Sequence, residues 1–523
     1  MLHFFFAPLF MFKKILIANR GEIAVRILRA CRELGIQSVA VFSEVDRKSL
    51  HVRLADEAYA IGPAPSRESY LRIDKLMDVA RLAGCDALHP GYGFLAENPA
   101  LARACREARV TFIGPPAEAM EALGSKTSGR QLARRVEVPT VPGTNNPTEK
   151  SEARVLAQSM GYPALLKAVA GGGGKGMRLV YSDAEFESAF RDAASEAMNA
   201  FGDERLYLEK YLERPRHIEI QVLADAHGRV VSLGERECSI QRRHQKVLEE
   251  APSPVVTPEL RRKMSEAAVR LARAGGYVNA GTMEFLVDQN LNFYFLEANT
   301  RLQVEHPVTE QVTGLDLVKL QIAIAAGHRL PFAWESITPR GHAMEVRLYA
   351  EDPENNLFPS PGKILSRHTP TGPGIRMDEG VYEGWTVPTD YDPLLSKLVA
   401  WGNSREETIA RLRRALDEYS ITGIRTNASL FRRILEEPEF LRGEIHTRWL
   451  DEFLRRARAA AALLTSDQNN ESDSNGSREA AAIAAAVWQA KQIATQASTA
   501  SSASETSSRW KMEGRRELLD RMP

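Results

Sequence analysis

The stretch GTMEFLVDQNLNFYFLEANTRLQVEH, residues 281–306, decides how the whole chain is read. It reads as a hairpin, two apolar β-prone strands around a turn at Asp288–Asn292. Counting back from that turn sets Glu284 opposite or diagonal to Glu297. From Glu297 onward, every second residue is polar: Glu297, Asn299, Arg301, Gln303 and Glu305, with Ala298, Thr300, Leu302, Val304 and His306 between them. That is the period of a strand. Two carboxylates side by side in an apolar hairpin repel each other unless a cation sits between them. Oxygen ligands of this kind, with Asn299 on the same face, suit Mg²⁺, and a metal so held commonly also holds nucleotide phosphates. If the strand runs on, a base beside an arginine follows about 13–16 Å away, at roughly 3.3 Å per residue. The alternative is a solvent-edge strand laced with salt bridges.

The same period appears upstream. In LYLEKYLERPRHIEIQVLAD (206–225), His217, Glu219 and Gln221 alternate with Ile218, Ile220 and Val222, and Glu209-Lys210-Tyr211-Leu212 reads as a connector where a nucleotide base can be read. In PALLKAVAGGGGKGMRLVYS (163–182), glycines join two β-prone runs. A strand follows the glycines, so this is not the phosphate loop that leads into a helix. Bare backbone N–H groups at such a tip can still cover phosphates, with Lys175 adding charge. Lys167 ends the apolar run before the glycines, a costly place for an ammonium that meets no anion. In ERECSIQRRHQKVLEEAP (235–252), Arg236, Arg242, Arg243, His244 and Lys246 fall within eleven positions; between apolar strands they read as a site for a small oxyanion.

The remaining chain frames these motifs. KKILIANRGEIAVRILRACRELGIQSVAVFS reads as strand, helix and strand of an open parallel sheet, with Ile23, Ile27, Ala30, Cys31 and Leu34 on one helical stripe. Gly21 is the one glycine of its first loop, so a dinucleotide fingerprint is not met. The expected fold is multidomain α/β and α+β: an apolar extension at 1–10, an N-terminal open parallel sheet at 11–125, a lid at 126–214, a core at 215–340, a C-terminal domain at 341–455, and a low-complexity linker with a helical tail at 456–523. A chain of 523 residues, 44% hydrophobic, is long enough for several cores. Basic and acidic residues balance at 68 each, which gives no sign of nucleic-acid or membrane partners. The start, MLHFFFAPLFMFKK, lacks a basic n-region and a cleavage site and is too short to span a bilayer. Four scattered cysteines fit a reducing, cytoplasmic setting.

Eight motifs in order, ILIANRGEIA, HPGYGFLAEN, GGGGKGM, EKYLERPRHIEIQ, CSIQRRHQKVLEEAP, EANTRLQVEHPVTE, GHAMEVRLYAEDP and YDPLLSKL, resemble the ATP-grasp biotin carboxylases from about Phe12 to Leu454. The resemblance implies ATP contacts at Lys126, Lys167, Gly172, Gly173, Gly174, Lys175, Gly176, Glu209, Lys210, Leu212, His217, Gln241 and His244. It implies divalent metal, two Mg²⁺ or Mn²⁺ ions, on Glu284 and Glu297 with Asn299 assisting. Bicarbonate falls to Lys246, Arg301, Gln303 and Val304, with Glu305 as its general base. Arg347 would stabilise the biotin enolate, and Tyr92 would lie near the biotin ring. The implied substrates are ATP, bicarbonate and biotin on a carrier. WKME (510–513) is a poor match to a biotin attachment site, so the biotin carboxyl carrier protein and the carboxyltransferase are expected on other chains, with a homodimer as the assembly. Acetyl-CoA is the expected final acceptor. Pyruvate, another acyl-CoA, or a different ATP-grasp ligation are the alternatives.

Overall fold

The computed structural model describes residues 11–469, apart from 145–146, 170–176, 244 and 333–336, with no side-chain account of 126–127, 200–201 or 460–469. Three sheets organise it. The first is parallel and five-stranded, in the order Glu57–Gly62, Gln37–Ser43, Lys14–Ile17, Ala87–His89, Thr111–Phe112. Its three inner strands, Lys14–Ile17, Gln37–Ser43 and Ala87–His89, are almost wholly buried, as a sheet covered on both faces requires. The helix Gly21–Glu33 buries Ile23, Ile27, Ala30 and Cys31 as its spacing predicts, and Gly35 leaves it at φ +70.

The second sheet is the lid: Met177–Val180, Ala164–Ala168 and Leu206–Lys210, antiparallel. Lys167 lies opposite Met177, so the glycine stretch does join two strands of one hairpin. The helices Lys150–Met160 and Asp183–Phe201 back this sheet, and Leu166, Val180 and Phe186 form its core.

The third sheet carries the chemistry. Eight antiparallel strands run in the order Phe293–Asn299, Asn279–Val287, Arg216–Ala224, Val230–Arg242, Gln245–Ala251, His342–Tyr349, Leu394–Gly402, Ile375–Glu379. It crosses the expected 340/341 boundary without a break, because His342–Tyr349 pairs directly with Gln245–Ala251. The helix Pro258–Ala274, capped by the Thr257 hydroxyl accepting from the Leu260 N–H, covers one face with Met264, Ala268 and Leu271. Ile218, Ile220, Val222, Met283, Phe285 and Phe295 meet it from the sheet. The opposite face of the same strands holds the alternating polar residues, so the period of two is what places the site.

Two expectations change. The strand of Glu297 ends at Asn299 and does not continue to Glu305. The Thr300 N–H turns away from any ladder and donates to Glu97 Oε1 at 2.9 Å. Pro307 then opens the helix His306–Thr313, with Glu305 as its N-cap. The second concerns the C-terminal side: the helix Trp449–Asn469 runs into the stretch read as a polar linker. Residues 1–10 and the rest of the linker and helical tail, 470–523, lie outside the described residues.

Candidate active site

The hairpin register is direct: Glu284 pairs with Glu297, and Thr282 with Asn299. On the other side Glu284 pairs with Glu219 and Leu286 with His217. Residues of one face on three neighbouring strands therefore converge on a cleft of about 1290 Å³, lined by Tyr92, Lys167, Glu209, His217, Lys246, Glu284, Glu297, Asn299, Arg301, Gln303 and Arg347 among others.

At the centre stands Lys246. Its Nζ donates to Glu219 Oε2 at 2.5 Å, Glu284 Oε1 at 2.7 Å and Glu305 Oε1 at 2.8 Å. The turn that ended the strand early thus brings Glu305 back beside Glu284, where a straight strand would have carried it away. Arg347 takes the other side of Glu305, from Nη2 to Oε2 at 2.9 Å, while its Nε donates to Glu249 Oε1 at 2.7 Å. Burial raises the Glu305 carboxyl, but Lys246, Arg347 and Arg236 overcome it and hold it well below the usual carboxylate range. Burial also raises Glu284, and Lys246 with His217 outweighs it in the same way. Glu219 is raised by burial. Burial lifts Glu249 to about 7 against the pull of Arg347. Lys246 is lowered by burial, yet the surrounding acids carry it well above its ordinary value. Each acid at the centre thus has a cation, as buried charges require.

The basic cluster of 235–252 divides. Arg236 is fully buried and points into the centre, pairing with Glu219 and donating to Gln221 Oε1 at 2.7 Å, Thr309 Oγ1 at 3.0 Å and Thr282 Oγ1 at 3.0 Å. Arg242 turns the other way, to the Asn356 carbonyl at 2.7 Å. The reason is the register: Gln241 pairs with Lys246 and Arg242 with Gln245, and successive pairs of a ladder face opposite sides of the sheet. Of the five expected positive groups, Arg236 and Lys246 serve the centre; His244 lies outside the described residues.

Arg301 reaches along the cleft wall, with Nη1 donating to Gln303 Oε1 at 2.8 Å, Nη2 to Asn299 Oδ1 at 3.1 Å and Nε to Glu97 Oε2 at 2.9 Å. Gln303 donates to Glu284 Oε1 at 3.1 Å. Val304 and Tyr92 line the same wall. At the lid end, Lys167 and Arg130 both pair with Glu209. Burial raises Glu209, but the two cations hold it low. Lys210 donates to the Gly161 and Tyr162 carbonyls at 2.8 and 3.2 Å, and Leu212 lines the cleft. Gln241 donates to the Cys238 carbonyl at 2.9 Å. Gly172, Gly173, Gly174, Lys175 and Gly176 and the Lys126 side chain lie outside the described residues.

For a divalent cation the donor chemistry fits. Glu284 and Glu297 are cross-strand neighbours, and Asn299 lies two rungs along, on the same face. His217 Nε2 is 3.0 Å from Glu284 Oε2, and donor atoms of His217, Glu219 and Glu284 lie within 4.8 Å of one another. Mostly oxygen donors with a high negative charge suit Mg²⁺ or Mn²⁺.

Glu249 and Asn427 were not singled out in the sequence. Asn427 donates Nδ2 to the Arg347 carbonyl at 3.0 Å and accepts from the Tyr349 N–H at 2.9 Å, which fixes the strand under Arg347. Neither could be found from spacing, since each is some 80 or more residues from its partner: 98 for Glu249 and Arg347, 80 for Asn427 and Arg347.

A small lid sheet linked by glycines, set over an antiparallel sheet that gathers carboxylates and cations, is the architecture of an ATP-grasp ligase. Comparison with known proteins agrees along the chain. Residues 11–120 match the biotin carboxylase N-terminal domain, 125–333 the carbamoyl-phosphate synthase L chain ATP-binding domain, and 345–452 the biotin carboxylase C-terminal domain. The chain is 52% identical over 446 residues to a biotin carboxylase of Halalkalibacterium halodurans, covering 85% of this chain and 98% of that one. It is 51% identical over 484 residues to a pyruvate carboxylase subunit of Methanothermobacter thermautotrophicus, covering 91% and 98%. Its fold matches the biotin carboxylase domain dimer of the Hydrogenobacter thermophilus 2-oxoglutarate carboxylase, solved with MgADP, ADP and bicarbonate. The TM-score is 0.78 at 47% identity, over 85% of this chain and 98% of that one.

The chain belongs to the biotin carboxylase family. It is a biotin carboxylase of the biotin-dependent carboxylases, and ATP, Mg²⁺, bicarbonate and biotin fit its site. No helix among the described residues is long and apolar enough to cross a membrane.

Proposed function

We propose that the chain carboxylates biotin borne on a separate carrier protein, using ATP and bicarbonate, with Glu305 as the base. The observation that carries this reading is the fully buried Glu305 carboxylate held between Lys246 and Arg347. A base so placed is ionised at neutral pH, and its two cationic neighbours are suited to an incoming anion.

Bicarbonate lies against Lys246, Arg301, Gln303 and Val304. Its oxygen attacks the γ-phosphorus of ATP and ADP leaves, while Glu305 takes the bicarbonate proton. The product, carboxyphosphate, breaks its carbon–oxygen bond to give CO₂ and phosphate. Phosphate accepts the ureido N–H proton of biotin, and the nitrogen of the resulting enolate attacks CO₂. Arg347 holds the enolate oxygen, since a guanidinium stays charged throughout. Tyr92 borders the ring. Lys167, Glu209, Lys210, Leu212, His217 and Gln241 bind the nucleotide, with Lys126, the glycine loop and His244. Glu284, Glu297 and Asn299 would hold Mg²⁺, which spreads the charge of the phosphates when bound.

In this reading a homodimer works with a carrier and a carboxyltransferase in a cytosolic complex; the dimeric solved relative and four buried free thiols support it. Acetyl-CoA is the first reading of the acceptor. Pyruvate is the second, favoured by one observation: the alignment to the Methanothermobacter pyruvate carboxylase chain spans 484 residues against 446 for the Halalkalibacterium enzyme, and so extends past residue 455.

The test is ADP release with and without bicarbonate, then with free biotin. Bicarbonate-dependent ATP cleavage that biotin stimulates is expected. Cleavage indifferent to biotin would overturn the biotin reading. Incorporation of labelled bicarbonate into acetyl-CoA or pyruvate by the complex purified with its partners decides between acceptors.

A further inference from the structure

The motif YDPLLSKL contains a lysine with no part in the reaction just described. Lys397 is fully buried in the strand Leu394–Gly402. Its direct partner across the ladder is Arg347. Directly opposed residues of an antiparallel pair stand on the same face of the sheet. From that one rung, Arg347 reaches the Glu305 carboxylate at 2.9 Å and Lys397 donates to the Val304 carbonyl at 2.9 Å. Two cations of a single rung thus grip two consecutive residues of the turn that delivers the base.

The lysine is itself held. Glu22 Oε2 of the N-terminal helix lies 3.3 Å from its Nζ and Asp378 Oδ2 of the neighbouring strand 3.9 Å, and the Tyr92 ring centroid is 5.7 Å away. A buried ammonium is expensive, and simple packing would be served as well by an apolar side chain. Its backbone target is also particular: the Val304 carbonyl falls in the bend where Gln303, Val304 and Glu305 leave the extended course and enter the helix. Among the described residues the Lys397 ammonium is the one group shown donating to that carbonyl, which has no strand partner in the bend.

We infer that Lys397 is a positioning residue for bicarbonate: it sets the Gln303–Glu305 turn against Lys246 without touching substrate. This rests on the bicarbonate reading above. In the full-length protein, Lys397→Met is expected to raise the KM for bicarbonate in ATP cleavage about tenfold or more, since misplacement of an ångström is costly in such a site. The KM for ATP should stay within about twofold. The double variant Lys397→Met/Glu22→Gln removes the nearer acid as well, while Asp378 keeps its pair with Arg376 at 2.7 Å, so no orphaned charge is left there; it is expected to show the same split.

A merely structural lysine gives a lower kcat with both KM values unchanged, and that result overturns the inference. So does an equal rise in both KM values, or loss of nucleotide binding in both variants. Absence of bicarbonate-dependent cleavage in the wild-type protein would instead overturn the function itself.

Discussion

The two ends of the cleft are built differently. At the inner end Lys246, Arg236, Arg347, Glu219, Glu284 and Glu305 stand on adjoining strands of one sheet or on the turn against it, and nearly all are out of solvent's reach. At the lid end the acid is Glu209, shared by Lys167 and Arg130, whose side chains are 30% and 23% exposed. The inner end is pre-organised, its groups held in place by one another. The outer end draws on a separate small sheet, and its cations stay partly open to solvent. Under the proposed function, the first arrangement serves the chemistry and the second the entry of the nucleotide.

The largest expected effect lies at the inner end. Glu305→Gln should lower bicarbonate-dependent ATP cleavage by about 10²–10⁴ while ATP still binds. Turnover near wild type would remove Glu305 as the base. Arg347→Ala should lower biotin carboxylation by about 10²–10³ but bicarbonate-dependent ATP cleavage by less than about tenfold. Equal losses would make the arginine structural and blur the contrast between reaction steps. At the outer end, Lys167→Met should raise the KM for ATP about tenfold, as for loss of one charge-assisted hydrogen bond, and leave the KM for bicarbonate alone. A matching rise for bicarbonate would show that the two ends are not separable.

The smallest effect on turnover comes from the scaffold. Burial raises Glu250, but His342 and Arg405 pull it down to about 2. A carboxyl depressed on folding adds stability above its unfolded value, about 4.3, and that stability fades as pH falls towards 2. Glu250→Gln should therefore lower stability at pH 7 by a few kcal/mol, about 3 on this basis, and the difference from wild type should shrink by pH 3. Melting curves at the two pH values check it; a difference independent of pH would exclude the ion pairs as its source.

Much of this was legible in the sequence because period two is a local property. The alternation in 217–222 and the opposition of Glu284 and Glu297 needed only a strand and a turn, and the register is as counted. The failure came where local pattern and global path part. Glu297 to Glu305 keeps the alternation of a strand, yet the chain leaves the sheet after Asn299 because Glu97, some 200 residues earlier in the chain, takes the Thr300 N–H. The five basic residues of 235–252 look like one cluster in a line of text, but the strand register puts Arg242 on the face opposite Lys246. Glu249, Asn427 and Lys397 act through partners tens of residues away, so no spacing rule marks them.

The ammonium of Lys246 has three hydrogens, and three carboxylates hold them. An arriving anion must therefore displace an acid, and the displaced acid then favours a cation nearby. Under the function proposed above, bicarbonate and the cation-bearing nucleotide relieve opposite members of the same pairs, and whatever one does to the other's affinity is returned by the same factor.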